Sequence, residues 1–252
     1  MVLELLSQRI LALMQGFFHI GLRVRRNEVP FNKYLFLAYY SMQKKYYFII
    51  TGIIIIGTTA YYGFLRDPVV IKNYPLGGET IVVFGDSLVE GIGSSKKGGF
   101  VALLEHRLQK PVSNLGRSGD TTETALGRVQ DVIAEDPDLV IVLLGGNDAI
   151  RRVPLEMTVE NLRTIIRTIQ AEGAAVVLLG VQGALIRDRF DNDFRVLAKE
   201  EGAVYIPNIL EDIYRNPSRM FDGIHPNDEG YGIITNRVYP IISELLTGTY
   251  YE

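Results

Sequence analysis

From residue 79 onwards, short apolar runs alternate with stretches in which apolar residues recur every three or four positions. Runs such as IVVF at 81–84 and LVIVLL at 139–144 have no polar alternation, which is typical of strands covered on both faces of a sheet. The stretch at 159–172 instead places four leucine and isoleucine residues on one stripe of a helix. The predicted strands are 81–84, 112–115, 139–144, 175–179 and 204–206, and the predicted helices are 100–109, 123–134, 159–172, 192–201 and 229–246. This order predicts an α/β domain with a parallel sheet between two layers of helices.

Polar clusters follow the ends of three predicted strands. They are GDSL at 85–88, NLGRSGDT at 114–121 and GGND at 145–148. A fourth cluster, DGIHP at 222–226, lies in the loop before the last predicted helix. Because ligands bind at the carboxyl ends of the strands in parallel sheets, we expect the four clusters to converge on one edge.

The residue types in these clusters suit acyl transfer. Ser87 is the candidate nucleophile, and a serine hydroxyl needs a base to accept its proton. The chain has three histidines, of which only His225 lies in a loop at this edge. Asp222, three residues earlier, is placed to orient the imidazole and to support its positive charge. The Ser87 amide, a glycine amide of the second cluster and the Asn147 side chain are candidate donors to an oxyanion.

In this order the four clusters resemble the four sequence blocks of the GDSL or SGNH hydrolases, and they look most like the arylesterase, thioesterase I and lysophospholipase L1 group. The resemblance covers about residues 79–246. It implies a flavodoxin-like, three-layer α/β/α fold with a five-stranded parallel sheet. It also implies Ser87 as the nucleophile, His225 as the general base, Asp222 as the residue that orients His225, and the Ser87 amide, Gly119 and Asn147 as the oxyanion hole. Gly119 is preferred to Gly116 because the glycine of the family precedes an Asp-Thr pair.

A charge-free segment at 46–65, YYFIITGIIIIGTTAYYGFL, has about the length of a membrane-spanning helix, with tyrosines near both ends. The preceding residues 1–45 carry seven Lys or Arg residues and two acids, so the positive-inside rule predicts a cytoplasmic N-terminus. We therefore expect a basic, partly apolar leader at 1–45, a transmembrane helix or signal anchor at 46–65, a linker at 66–78 and a hydrolase domain at 79–252. The hydrolase domain is expected outside the cytoplasm, in the periplasm or the extracellular space.

Two alternatives for this N-terminal region stay open. The small residues at 58–60 also fit a cleavage site after Ala60, which would release a secreted form. The segment that begins at Met42 resembles an ordinary export signal by itself, so translation from Met42 is a further hypothesis.

Composition limits the other classes of function. Hydrophobic residues make up 47% of the chain, which is enough for a packed core. The net charge of −3, with an acidic excess after residue 45, disfavours a nucleic-acid partner, which needs clustered positive charge. The absence of cysteine excludes disulfides, thiolate metal sites and cysteine nucleophiles. We expect no metal and no cofactor, because metallophosphoesterase sites need several histidines and the glycine-rich segment 91–99 lacks the phosphate-loop signature.

Together these observations predict a serine esterase or lipase that hydrolyses acyl esters or thioesters through an acyl-enzyme on Ser87. Short acyl esters and lysophospholipids are the expected substrates, given the family resemblance and the predicted anchor. Two alternatives use the same scaffold: a carbohydrate O-deacetylase or O-acyltransferase acting on envelope glycans, and an inactive, membrane-tethered binding module. A binding module has no physical need for a nucleophile, a base and oxyanion donors together, so the clusters favour an enzyme.

Overall fold

The structure, a computed structural model, describes residues 33–64, 70–95, 98–181 and 189–250. The chain divides into two compact units, Met1–Asp67 and Pro68–Glu252. Most of the predicted leader, the last residue of the predicted anchor and the first residues of the predicted linker lie outside the described residues. The predicted hydrolase domain falls within the second unit.

In the first unit, the described residues form one long helix, α1, which spans Lys33–Phe64. Its isoleucines at positions 49, 50 and 53–56 are between 48% and 70% exposed. The hydroxyl groups of Thr51 and Thr58 donate to carbonyl oxygens four residues earlier, at 2.8 and 2.9 Å, so they are satisfied within the helix. Among the residues that the structure describes, no helix is both long enough and apolar enough to cross a membrane.

The second unit is built on a five-stranded sheet. Its strands are β1 Ile81–Gly85, β2 Val112–Gly116, β3 Leu139–Leu143, β4 Ala175–Leu179 and β5 Val204–Ile206. Its helices are α2 Ser87–Glu90, α3 Gly99–Leu108, α4 Thr122–Leu126, α5 Val129–Ile133, α6 Gly146–Ile150, α7 Leu155–Ala171, α8 Arg189–Glu201 and α9 Asp228–Thr247, with a 3-10 helix at Pro217–Arg219. The strands lie in the order β2-β1-β3-β4-β5 and every pairing is parallel. The expected α/β fold with a five-stranded parallel sheet is confirmed, and its strand order is the flavodoxin-like one.

Both faces of the sheet are buried, because successive side chains of a strand point to opposite sides. In β1, Ile81 and Val83 pack into one core with α3 and α9, whereas Val82 and Phe84 pack into a second core with α7 and α8. All residues of β1, β3 and β4 are buried. The uninterrupted apolar runs of the sequence therefore correspond to strands covered by helices on both sides.

The prediction of one continuous helix at 123–134 is wrong. The stretch 123–134 forms two short helices, α4 and α5, separated by Gly127 and Arg128. Arg128 leaves helical geometry, with φ −125° and ψ 18°, and its guanidinium donates to carbonyl oxygens at the ends of β1 and β2. Periodicity alone predicts an unbroken helix here, because Arg128 lies on the same stripe as Ala125 and Val132.

Other differences are shifts of boundaries and short helices. Helix α7 begins at Leu155, after Pro154, rather than at residue 159, and α8 begins at Arg189 rather than at residue 192. Helices α2 and α6 are not predicted from the sequence, because four or five residues are too few to show a helical period. Both lie directly after central strands, where the candidate site residues are found.

Candidate active site

Ser87 lies just past the carboxyl end of β1 and is the first residue of α2. Asp86 caps this helix, since its Oδ1 accepts a hydrogen bond from the Leu88 amide at 3.0 Å. The tight passage from strand to helix requires Gly85, because a Cβ there would lie 2.2 Å from the carbonyl oxygen of Leu143. The turn leaves Ser87 only 7% exposed, so the serine is set back from bulk solvent.

The loop before α9 brings His225 to Ser87. His225 Nε2 lies 3.0 Å from Ser87 Oγ, and His225 Nδ1 lies 2.8 Å from Asp222 Oδ2. With the proton on Nδ1, the imidazole donates to Asp222 and leaves Nε2 free to accept the serine proton. The structure thus joins three of the predicted residues in one hydrogen-bonded triad, although Ser87 and His225 are 138 positions apart in the sequence.

Asp222 holds both the histidine and its loop. Its Oδ1 accepts the amide hydrogens of Ile224 and His225, both at 2.7 Å. Desolvation pushes the pKa of Asp222 up, but hydrogen bonds from the His225 ring and from the His225 and Ile224 amides outweigh it and hold the pKa below its usual value. The carboxylate therefore stays charged at neutral pH and stabilises positive charge on His225.

Asn147, in α6 just past β3, connects the turn at Ser87 to the loop after β2. Its Nδ2 donates to the carbonyl oxygen of Asp120 at 2.9 Å and lies 3.4 Å from Asp86 Oδ2. Gly119 precedes Asp120 and has a φ of +82°, a conformation that glycine adopts without steric cost. The residues predicted from the sequence therefore surround one edge of the sheet.

Asp86 has an environment that sequence reasoning missed. The residue is 3% exposed. Burial raises the pKa of Asp86 to about 7, and the hydrogen bond from the Leu88 amide together with the nearby His225 offsets only part of this increase. The negative charges of Asp120 and Asp148 raise it further. The letters GDSL contain no signal for this, because the shift depends on residues from other loops.

Two more buried carboxylates, Asp120 and Asp148, hold the loops of the site, and the sequence motifs alone do not indicate this role. Asp148 is completely buried and accepts from the hydroxyl and the amide of Thr122, the amide at 2.9 Å. Asp120 Oδ2 lies 2.6 Å from Nε of Arg128, and both side chains of this ion pair are buried. A signal for Arg128 exists in the sequence, since it places a charge on the apolar stripe of a predicted helix.

The triad has the parts that nucleophilic catalysis needs: a hydroxyl, an adjacent base and a carboxylate that orients the base. Over the described ranges, no group of three or more histidine, aspartate or glutamate side chains is arranged to hold a metal ion.

Comparison with known proteins agrees with this geometry. A model of the GDSL-like lipase/acylhydrolase family matches residues 83–233, more than half of the chain. The esterase TesA of Pseudomonas aeruginosa is 32% identical over 189 residues, which cover 70% of this chain and 94% of that protein. The thioesterase 1/protease 1/lysophospholipase L1 of Escherichia coli K12 is 32% identical over 167 residues, which cover 63% of this chain and 80% of that protein. A crystal structure of TesA superposes with a TM-score of 0.63 at 33% identity, covering 67% of this chain and 100% of that one. These matches confirm the resemblance drawn from the four polar clusters.

We expect Asp86→Asn to change how stability depends on pH. The pKa of Asp86 in the folded chain is about 7, above its value in an unfolded chain, so the carboxyl destabilises the fold increasingly as the pH rises towards 7. Below about pH 4 both states are protonated and the effect disappears. Asparagine keeps the helix cap but does not ionise. The free energy of unfolding of the variant, relative to wild type, should therefore be higher at about pH 8 than at about pH 4.

Urea unfolding followed by circular dichroism measures this difference. Asp131→Asn, which changes an exposed carboxylate of α5, is the matched control. An equal trend in both variants would contradict the assignment of the effect to the buried Asp86.

Proposed function

The chain belongs to the GDSL-like lipase/acylhydrolase family, and we propose that it hydrolyses acyl esters or thioesters through an acyl-enzyme on Ser87. The observation that carries the proposal is the triad, with 3.0 Å from Ser87 Oγ to His225 Nε2 and 2.8 Å from His225 Nδ1 to Asp222 Oδ2. The two hydrogen bonds join nucleophile, base and orienting carboxylate in the order that serine acyl transfer requires.

In the acylation step, Ser87 Oγ attacks the carbonyl carbon of the substrate while His225 Nε2 takes the hydroxyl proton. Asp222 supports the imidazolium that forms, and its low pKa keeps it ionised throughout. When the tetrahedral intermediate collapses, the bond to the leaving alcohol or thiol breaks, and His225 returns the proton to the leaving group. The acyl group then remains on Ser87.

We assign the oxyanion hole to the amides of Ser87 and Gly119 and to the side chain of Asn147. One amide hydrogen of Asn147 is directed to Asp120, whose carbonyl oxygen lies 2.9 Å from Nδ2. The contact of Nδ2 with Asp86 Oδ2 is longer, at 3.4 Å, and is the weaker of the two, so it is the contact that a bond to an oxyanion would replace. Donors of this kind are typically worth roughly 3–4 kcal/mol each in the transition state.

In the deacylation step, His225 takes a proton from a water molecule, and the resulting hydroxide attacks the acyl carbon. The bond to Ser87 Oγ breaks, the serine recovers its proton from His225 and the acid leaves. His225 has to be neutral to act as the base in both steps.

As substrates we propose short acyl esters and lysophospholipids. The relatives named above include an esterase and a thioesterase/lysophospholipase. Phe221 and Ile224, which lie on the same loop as His225, are 65% and 46% exposed and offer apolar surface to an acyl chain attached at Ser87. The same triad also fits removal of acetyl groups from glycans, so substrate comparison is the deciding experiment.

We further propose that the segment 46–65 anchors the chain in a membrane, with the hydrolase unit outside the cytoplasm, although its described part does not by itself meet the length and apolarity of a membrane-spanning helix. The proposal is supported by the surface of α1. Its isoleucines at 49, 50 and 53–56 are 48% to 70% exposed, and an apolar helix surface of this kind is stable in lipid. The basic pair Lys44 and Lys45 precedes the segment on the side that the positive-inside rule assigns to the cytoplasm.

Ser87→Ala should abolish labelling of the full chain by a fluorophosphonate probe and should lower kcat for p-nitrophenyl acetate by at least about 10⁴-fold, because the acyl-enzyme no longer forms. Ser113→Ala is the matched control, since the Ser113 hydroxyl in β2 donates to Glu135 and has no contact with the triad. Labelling that persists in the Ser87 variant would refute the assignment of the nucleophile.

An ester panel on the full chain tests the substrate class. We expect kcat/KM for p-nitrophenyl butyrate and for a lysophospholipid to exceed that for an acetylated xylo-oligosaccharide by about tenfold or more, or roughly 1.4 kcal/mol in transition-state binding. The opposite order would favour a carbohydrate O-deacetylase. A folded chain without turnover on any ester would favour an inactive binding module.

Membrane fractionation tests the anchor. The full chain should remain in the membrane pellet after a carbonate wash and enter the supernatant in detergent, whereas deletion of 46–65 should release it without detergent. Added protease should digest the hydrolase unit only from the outer side of the membrane. A full chain released by carbonate alone, or a mass spectrum showing cleavage after Ala60, would contradict a permanent anchor.

A further inference from the structure

A buried cation, Arg128, lies where the loops of the candidate active site meet. The Arg128 guanidinium makes three hydrogen bonds to three different segments. Its Nη2 donates to the carbonyl oxygen of Gly85 at 2.9 Å, its Nη1 to that of Leu115 at 3.0 Å, and its Nε to Asp120 Oδ2 at 2.6 Å. Its Cζ also lies 4.4 Å from the centre of the Phe84 ring. Arg128 is only 8% exposed, so these contacts replace solvent almost completely.

Two of these acceptors, Gly85 and Asp120, are close in the chain to groups that we assign to the oxyanion hole. Gly85 ends β1, two residues before Ser87. Asp120 directly follows Gly119, and its carbonyl oxygen accepts the hydrogen bond from Asn147. The side chain that Arg128 holds and the carbonyl that Asn147 holds therefore belong to the same residue. Through Asp120 the guanidinium is connected to Gly119 and Asn147, and through Gly85 it is connected to the Ser87 turn.

We propose that Arg128 is a positioning residue for ester hydrolysis, which sets the spacing of the oxyanion donors on the Ser87 turn, the Gly119 loop and α6. The inference rests on the proposed function. Arg128 acts through Gly85, Leu115 and Asp120 and does not touch the substrate. Its planar fork reaches three acceptors in fixed directions, which the single ammonium group of lysine does not reproduce.

This role predicts a specific kinetic pattern. Oxyanion donors act mainly on the transition state, so misplacing them lowers kcat more than it raises KM. The base and its carboxylate lie on a separate loop, at 222–226, to which Arg128 makes none of its three hydrogen bonds. The acid limb of the pH–rate profile, which depends on protonation of the base, should therefore keep its midpoint.

The test uses Arg128→Lys in the full chain. We expect kcat for p-nitrophenyl acetate to fall by about 10- to 100-fold, as is typical when a catalytic group is misplaced by about an ångström. KM should change by less than about threefold, and the midpoint of the acid limb should not move. The rate of phosphonylation by a fluorophosphonate should fall in parallel with kcat, because that reaction uses the same donors.

Asp120→Asn is the second variant, since it removes the charge of the partner and keeps its shape and its backbone carbonyl. Asp120→Asn should lower kcat less than Arg128→Lys, because it weakens only the ion pair between Asp120 and Arg128. The double variant should lose no more activity than Arg128→Lys alone, because both changes break this same ion pair. Arg163→Lys is the matched control. Arg163, in α7, bonds to Glu200 and Glu201 of α8, so this change weakens a comparable ion network that has no link to the donors.

A folded Arg128→Lys variant whose kcat is unchanged would overturn the inference, and so would an equal loss in Arg163→Lys. If Arg128→Lys does not fold, an unchanged kcat in folded Asp120→Asn overturns it. The inference would also be overturned if the midpoint of the acid limb shifted enough to account for the loss of kcat, because the change would then act on the base His225 and not on the oxyanion donors. Wild-type chain without Ser87-dependent turnover would instead refute the proposed function, which separates the two failures.

Discussion

Strand β1 is hydrogen-bonded to β2 on one side and to β3 on the other, in a register that places Gly85 beside both Gly116 and Leu143. Three connections therefore leave the sheet at the same level: the turn that carries Ser87, the loop after β2 and the helix α6. Because β1 and β3 are buried on both faces, a shift in register by one residue would turn every core side chain towards the wrong layer. The spacing of the candidate site thus depends on the hydrophobic packing that also stabilises the domain.

The polar groups at this edge are fixed by burial as much as by individual bonds. Asp148 and the pair formed by Asp120 and Arg128 are almost inaccessible to water, and each is satisfied by partners from another segment. Removing one partner of such a buried pair typically costs about 3–5 kcal/mol, which is similar to the contribution of an oxyanion donor to catalysis. The loops are therefore held in position before a substrate binds, and little reorganisation is needed in the transition state.

The base reaches the nucleophile from a distant part of the chain, and its loop has supports of its own. The Phe221 amide donates to the carbonyl oxygen of His225 at 2.8 Å, which closes the loop around the histidine. Tyr231 of α9 donates its hydroxyl to the carbonyl oxygen of Ile92 at 2.6 Å. Gly93 packs so closely that a Cβ there would lie 2.5 Å from the carbonyl oxygen of Pro226. The segment that follows the nucleophile helix therefore packs directly against the loop that carries the base.

The sequence by itself determined the strands, because a strand buried on both faces needs consecutive apolar residues, and it determined the residue types of the site, because serine acyl transfer permits few alternatives. It also placed Ser87 and Asn147 at strand ends, since those positions are local in the chain. Only the tertiary structure decided that the helix predicted at 123–134 breaks at Arg128 and that Asp86 holds its proton up to about pH 7. Both outcomes depend on groups from distant segments. These groups supply the acceptors around the Arg128 guanidinium and exclude water from the Asp86 carboxyl group. They become neighbours only once the sheet has aligned its loops.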